Sequence, residues 1–430
     1  MIVAKNPDRD KWSKLWERPQ LQQQNLNQLV DEVFDAIRIE GDRAVLSYTK
    51  IFDKAELSDL CVDAAEVAKA SDRISEDLKA AIRLAASNIE KFHLAQKPNR
   101  IEVETTPGVK CWQEARPIQR VGIYIPGGTA PLFSTVLMLA IPAKIAGCEE
   151  IVLCTPPDKN GEINPAILFA AKYAGVEKIY RVGGIQAIGA MTFGTECVPK
   201  VDKIFGPGNQ YVTAAKQHAS QLGVAIDMPA GPSELLVMAD ETASAEFVAS
   251  DLLSQAEHGI DSQVICIVKS EKMIFKIQDE LMNQLSGLPR RTIAQQSISN
   301  SKLVLMENDQ DAIDFINGYA PEHFILCVAN EGFYLDNLKN AGSVFIGNYT
   351  PESAGDYASG TNHTLPTNGY AKSYSGVNID AFMKKITFQK ITPEGIKKIG
   401  PAIEFMAEAE HLHAHRMAVT KRLVQLESNY

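Results

Sequence analysis

The side chains best suited to chemistry gather in one stretch, Ser250-Asp-Leu-Leu-Ser-Gln-Ala-Glu-His-Gly259. Phe247, Val248, Leu252 and Leu253 recur there at helical spacing, and Gly259 is a natural C-cap. The spacing predicts a helix on which Gln255 and His258, three residues apart, share a face. His258 then falls in the last turn, open toward solvent. Histidine is the commonest side-chain metal ligand and glutamine a rare one. The pair suits half of a metal site, and it equally suits a helix end with two solvated polar groups.

Further candidates lie downstream. In Ala320-Pro-Glu-His-Phe324 the proline ends a helix, which leaves Glu322 and His323 at the edge of an element. Adjacent Glu and His suit proton transfer, the His near neutral pH and the Glu if burial raises its pKa. A surface junction with two hydrated side chains fits the same letters. Asp356 and His363 sit in a stretch rich in Gly, Ser, Thr and Asn, and loops on rigid scaffolds carry function. Near the C-terminus comes Glu410-His-Leu-His-Ala-His415, where His411 and His415 share a helix face. That cluster fits either a metal or a polar surface helix.

Three predicted strands end in Gly-rich turns that precede helices: Tyr124-Ile-Pro-Gly-Gly128, Gly183-Gly-Ile-Gln186 and Gly206-Pro-Gly-Asn209. Glycine lets the backbone approach a phosphate, and a helix N-terminus favours an anion. In open α/β sheets ligands bind beyond the carboxyl ends of the strands. None of the turns is a G-x-G-x-x-G, but together they favour a nucleotide site.

The seven cysteines are scattered and form no C-x-x-C, which excludes a disulfide framework. Cys148, Cys154, Cys266 and Cys327 fall in apolar stretches, where a thiol is inert. Cys111 and Cys197 are in less defined settings. A cysteine nucleophile for aldehyde oxidation is therefore a weaker reading than the Glu–His pair.

These residues need a scaffold. Val121–Ile125, Ile151–Cys154, Lys178–Val182, Lys203–Phe205 and Val224–Met228 are predicted strands separated by helical patterns. The alternation resumes with strands at Val264–Val268, Leu303–Met306, Phe324–Val328 and Val344–Ile346. Two parallel α/β units follow from this. Residues 25–95 carry helical stripes, Leu29/Val33/Ile37 and Leu78/Ile82/Ala85/Ile89. Short strands at Ile101–Thr105 and Val109–Glu114 come next. Residues 348–378 look loop-like, and Pro401–Glu427 looks helical. Trp12 and Trp16 mark a short N-terminal arm that must dock on something.

A chain of 430 residues with net charge −10 and no run of Lys or Arg is no nucleic-acid binder by composition. Its longest apolar stretch, around Val136–Ala146, is too short to span a bilayer and holds Lys144. Without an apolar segment near Met1, the expectation is a cytoplasmic protein.

Taken in order, Tyr124-Ile-Pro-Gly-Gly, Phe205-Gly-Pro-Gly-Asn, Asp227-Met-Pro-Ala-Gly-Pro-Ser-Glu, Ser250 to Gly259, Ala320-Pro-Glu-His and Ala414-His-Arg-Met-Ala closely resemble the histidinol dehydrogenase family, over essentially the whole length. The resemblance implies zinc-dependent oxidation of L-histidinol to L-histidine through the aldehyde with two NAD, the end of histidine biosynthesis. It implies zinc ligands at Gln255, His258, Asp356 and His415, and proton transfer by Glu322 and His323. Substrate contacts are implied at Ser233, Gln255, His258, His323, Asp356, Glu410 and His415, and NAD contacts at Tyr124, Gln186 and Asn209. His411 and His413 are not part of the pattern.

The resemblance also implies two Rossmann-like doubly wound units of the aldehyde dehydrogenase kind, with small terminal helical domains. The expected divisions are an arm at 1–20, a first α/β domain of 21–120 with 235–377, an NAD-side α/β domain at 121–234, and a helical domain at 378–430. A homodimer is expected, its C-terminal segment reaching into the partner's site. A Cys-dependent aldehyde dehydrogenase and a zinc-binding protein without turnover are the alternatives.

Overall fold

A computed structural model describes residues 1–18, 26–127, 131–229 and 231–428. Gly128 of the first Gly-rich turn, Ala230 of the Asp227–Glu234 segment and residues 19 and 20 of the arm lie outside the described residues. In chain order the described strands are β1 (Ile2–Lys5), β2 (Ile101–Thr106), β3 (Val109–Pro117), β4 (Arg120–Tyr124), β5 (Glu150–Thr155), β6 (Lys178–Arg181), β7 (Lys203–Phe205), β8 (Ala225–Ile226), β9 (Glu234–Ala239), β10 (Gln263–Val268), β11 (Lys302–Leu305), β12 (His323–Cys327), β13 (Ser343–Ile346) and β14 (Met383–Ile391).

The chain forms two compact units. One comprises Met1–Gln96 and Ile118–Phe382, the other Lys97–Pro117 and Met383–Tyr430. The larger unit holds two sheets, ordered β6-β5-β4-β7-β8 and β1-β11-β10-β9-β12-β13. Every pairing in both is parallel. β4 and β9 each lie in the middle, with later strands added first to one side and then to the other. That is the doubly wound arrangement. β9, β10 and β12 are buried along their whole length and nearly all apolar, as strands covered on both faces must be.

The expectation of two doubly wound sheets is met, and several details differ. β9, the middle of the six-stranded sheet, has no counterpart in the sequence reading. Its run Leu235-Leu-Val-Met-Ala239 is short and continuous, without the alternation that marks a half-exposed strand. The N-terminal arm is not separate. β1 extends the six-stranded sheet through β11, and Trp12 and Trp16 pack edge-on against Phe315, with ring centroids 5.5 and 5.4 Å apart.

The early helices also differ from expectation. Val30, Val33, Phe34 and Ile37 of helix Leu26–Glu40 share one buried cluster with Ile185, Ile188 and Met191. Each such side chain contributes roughly 1.5–3 kcal/mol on burial. This helix therefore belongs with the five-stranded sheet, not with 235–377. An apolar stripe shows which face is buried, but not against what.

In the smaller unit β14, β3 and β2 form an antiparallel sheet, followed by helices Pro393–Ala409 and His413–Ser428. The C-terminal segment expected as a helical domain thus also contains a strand, ahead of the residues expected to be helical. Most of β14 is exposed, so it has no apolar period to betray it.

Candidate functional site

Two helices deliver the central residues to one end of the six-stranded sheet. Helix Ala245–Ala256 runs back from the carboxyl end of β9 and stops beside the amino ends of the strands. Its C-cap is Glu257, so His258 lies just beyond the helix rather than in its last turn. The turn is held by His258 N–H donating to the Gln255 carbonyl at 3.3 Å. Helix Asp309–Tyr319 ends at Ala320, a non-glycine residue with φ 55°. Pro321 follows, and Glu322 and His323 open β12.

Helix Glu352–Tyr357 supplies Asp356 and, one turn before it, Glu352. The composition of this stretch predicts a loop, and the structure has a short helix there that brings Glu352 to the site. The available signal was Pro351, which starts the helix, and the four-residue spacing that puts both carboxylates on one face.

These side chains converge. His258, Glu352 and Asp356 each offer a ligand atom within 4.8 Å of the others. His323 is gripped from both edges. Its Nδ1 is 3.6 Å from Glu322 Oε2 and 3.7 Å from Glu352 Oε1, and its Nε2 is 3.7 Å from Asp356 Oδ1. Nδ1 also lies 3.3 Å from the Glu234 carbonyl, to which it can donate. Glu322 is fixed by accepting from the Glu234 N–H at 2.9 Å. Gln255 is fully buried, yet neither atom of its side-chain amide has a hydrogen-bond partner. Leaving such atoms unpaired in a protein interior costs about 1–3 kcal/mol each.

Burial pushes the Glu322 carboxyl up to about 7 against the pull of His323. It pushes Glu352 up to about 8 in the same way. Burial also works to strip the proton from His323, but Glu352, Glu322 and Asp356 outweigh it and hold its pKa well above the ordinary value. Asp356 stays below the usual carboxylate range. Burial would raise it, and His323, His363 and His258 overcome that.

A pocket of about 300 Å³ opens onto this cluster, lined among others by Ser233, His258, Glu322 and His363. His363 is positioned at Nδ1 by the Asp356 carbonyl at 2.9 Å and at Nε2 by Thr135 Oγ1 at 3.0 Å.

A larger cleft of about 1010 Å³ lies at the carboxyl ends of β4 and β5, where Tyr124, Gly184 and Asn209 line it. Asn209 and Pro126 line both cavities. Tyr124 Oη accepts from the Gly184 N–H at 3.2 Å. Asn209 caps helix Gln210–Gln221, its Oδ1 accepting from Tyr211 and Val212 N–H. Gln186 is fully buried and sits behind the cleft lining. It donates to Asp53 Oδ2 at 2.9 Å, and Asp53 lines the cleft. No sequence signal marked Asp53. No cysteine lines either cavity among the described residues, which removes the main support for a thiol nucleophile.

Glu410 and His415 belong to the smaller unit. Glu410 ends helix Pro393–Ala409, and His415 is exposed on helix His413–Ser428.

A sequence profile of histidinol dehydrogenase matches residues 16–423. This chain belongs to the histidinol dehydrogenase family. The histidinol dehydrogenase of Bacteroides thetaiotaomicron is 60% identical over 427 residues, covering 99% of this chain and all of that one. That of Bacteroides fragilis is 58% identical over 426 residues, with 99% and 100% coverage. The crystal structure of histidinol dehydrogenase from Elizabethkingia anophelis superposes with TM-score 0.98 at 58% identity, covering 99% of each chain. An acetylating aldehyde dehydrogenase from Geobacillus thermoglucosidasius, 14% identical, has TM-score 0.51 over 88% of this chain and 93% of its own, and shares the fold. The chain is therefore an oxidoreductase of the histidinol dehydrogenase family, with the α/β fold that aldehyde dehydrogenases share. No helix among the described residues is long and apolar enough to cross a membrane.

Proposed function

We propose that this chain oxidises L-histidinol to L-histidine through L-histidinaldehyde, using zinc and two NAD. The observation that carries the reading is the convergence of His258, Asp356, Glu322 and His323 around one pocket, beside a buried Gln255 amide without partners. An amide oxygen, an imidazole and a carboxylate form a mixed N/O donor set acceptable to zinc. Gln255, His258 and Asp356 would hold the ion, with His415 of a second copy as the fourth ligand. Zinc would supply a Lewis-acidic anchor for the imidazole and amine nitrogens of the substrate. NAD would supply the hydride acceptor, its fit resting on the cleft at the carboxyl ends of β4 and β5 and on Tyr124, Asn209 and the Gly183-Gly184 turn.

The chain's own groups divide the proton work. His323, once neutral, takes the alcohol proton as the carbon loses hydride. Glu322, buried and titrating near neutrality, takes a proton from water, whose oxygen adds to the aldehyde carbon while the His323 imidazolium returns its proton to the carbonyl oxygen, which gives the hydrate and leaves His323 neutral again. His323 accepts the hydrate's hydroxyl proton as the second hydride leaves. The buried wall formed by Glu322 and His323 limits the aldehyde's competing reactions with solvent. Ser233, and Glu410 of the second copy, would orient the substrate.

The test is absorbance at the NADH band with histidinol and NAD, before and after chelation and zinc restoration. NADH formation that chelation abolishes and zinc restores is the expected result. Metal-loaded, folded protein that forms no NADH overturns the reading.

A further inference from the structure

A second group of metal-ligating side chains lies apart from the pocket just described. Asp59, Cys61 and Cys197 each present one ligand atom, all within 4.8 Å of one another. We propose that these three residues form an additional site for a thiophilic divalent cation of the zinc class. Two sulfurs and a carboxylate oxygen suit such a cation and disfavour magnesium or calcium, which take oxygen donors. In a tetrahedral zinc site the sulfurs stand about 3.8 Å apart, so small side-chain rotations complete the geometry.

The backbone on both sides is already held. Cys61 pairs with Tyr180 in an isolated antiparallel bridge. Flanking it, Arg181 N–H donates to the Leu60 carbonyl at 2.9 Å and Val62 N–H to the Ile179 carbonyl at 3.0 Å. Asp59 Oδ1 accepts from the Cys61 N–H at 2.9 Å, which holds the carboxylate beside the thiol. Cys197 sits in a turn closed by Thr195 N–H to the Val198 carbonyl at 2.8 Å. Its neighbour Glu196 accepts from the Asp42 N–H at 2.8 Å, tying this turn to the start of helix Asp42–Phe52. Both cysteines pack against the same apolar cluster. Little ordering remains to oppose binding.

The local charge asks for a cation. Asp42 Oδ1 is buried without a hydrogen-bond partner. Neither Asp42 nor Asp59 is paired with Lys or Arg among the described residues. Asp42 beside Cys197, and then burial, push that thiol up to about 12. Burial and then Asp59 raise Cys61. Such thiols ionise poorly alone, which slows oxidation to a disulfide. A bound dication would displace their protons and neutralise the carboxylates together.

Asp59 is exposed and the cysteines are partly covered, so the site is reachable from solvent. A cation there would join the segment following Asp53 to the loop following helix Gly184–Phe193. Just before those two pieces come Asp53 and the helix bearing Gln186, which share a hydrogen bond beside the large cleft. The role is a brace.

The test titrates chelator-stripped, full-length protein with Cd²⁺ and follows the ultraviolet thiolate-to-metal band. The active-site donors contain no sulfur and are silent in this band. The expected result is a band that reaches its maximum by two Cd²⁺ per chain in the wild type, the silent active site taking the other ion, and by about one in His258→Ala, and that is absent in Cys61→Ser and in Cys197→Ser. Asp59→Asn keeps both thiols and changes only an exposed side chain, so it guards against misfolding. It should weaken Cd²⁺ binding about tenfold or more. A folded wild type without the band, a band that survives both cysteine substitutions, unchanged affinity in Asp59→Asn, or the mass of a Cys61–Cys197 disulfide in the untreated protein would each overturn the proposal.

Discussion

Glu352 Oε1 stands 3.7 Å from His323 Nδ1, on the opposite edge of the ring from Asp356. The charge of Glu352 is the largest single influence raising this histidine against burial, with Glu322 and Asp356 adding to it. A base acts only when neutral, and raising its pKa moves the neutral form to higher pH. Histidinol oxidation is therefore expected to climb with pH as His323 loses its proton. Glu352→Gln removes a negative charge, lowers the histidine's pKa and should move that climb toward lower pH. The pH profile of kcat/KM for histidinol measures it. An unmoved or alkaline-shifted limb would show that Glu352 does not govern His323.

The division of labour gives a second prediction. Glu322 titrates near 7 and His323 well above its ordinary value, so the two are separable. His323→Asn should cut histidinol oxidation about 100-fold or more, since no other base replaces it. Glu322→Gln should spare much of the alcohol step and slow aldehyde oxidation. Assays with histidinol and with histidinaldehyde discriminate. Equal losses on both substrates in Glu322→Gln would falsify the assignment.

Asp53 yields a prediction about stability. Burial lifts its carboxyl to about 6, against the hydrogen bond from Gln186. In the unfolded chain it titrates near about 3.9. The folded state thus holds the proton more tightly. That stabilisation is fully present below the unfolded value and is lost as pH rises through about 6. Asparagine can still accept from Gln186 and cannot ionise. Asp53→Asn should match the wild type at low pH and exceed it above about 6, by up to roughly 2 kcal/mol once solvent screening is allowed for. Urea denaturation at several pH values measures the difference. A gap that is flat or that shrinks with rising pH contradicts the burial argument.

What the sequence reveals depends on whether a signal is local. β5, β7, β10 and β12 are short apolar runs bounded by turn residues, and the structure has strands at or within a residue or two of each expected position. Glu322 and His323 are legible because Pro321 forces an element boundary. Asp53 is not, because it gains its character from burial beside residues distant in the chain, and Glu352 is marked only by Pro351 and its spacing to Asp356, while nothing local marks its approach to His323. β14 is hidden for the same reason: its nine residues pair with β3 through backbone bonds that leave no apolar pattern. The helices of 26–52 show their buried faces plainly, but only three-dimensional packing assigns them to the five-stranded sheet.

The last prediction concerns a site shared between two copies. The larger unit supplies Gln255, His258 and Asp356, while the fourth expected ligand, His415, lies in the smaller unit on an exposed helix whose only buried residue is Val419. The neighbouring helix leaves Phe405 and Met406 74% and 66% exposed, apolar surface that a second copy could cover. A terminal segment of this kind exchanges between protomers at little cost. If His415 completes the partner's metal site, dimerisation and metal binding are thermodynamically linked. The experiment mixes two inactive proteins, His258→Ala and His415→Ala, under conditions that permit subunit exchange. Random mixing makes about half the population heterodimers. In each heterodimer of the shared arrangement one site has lost both ligands and the other has lost neither, so activity and tight zinc binding reappear together. If each site is built from a single chain, every site keeps one defect and mixing restores nothing. No recovery of either signal, with exchange confirmed by differential mass labelling, rules out the shared site.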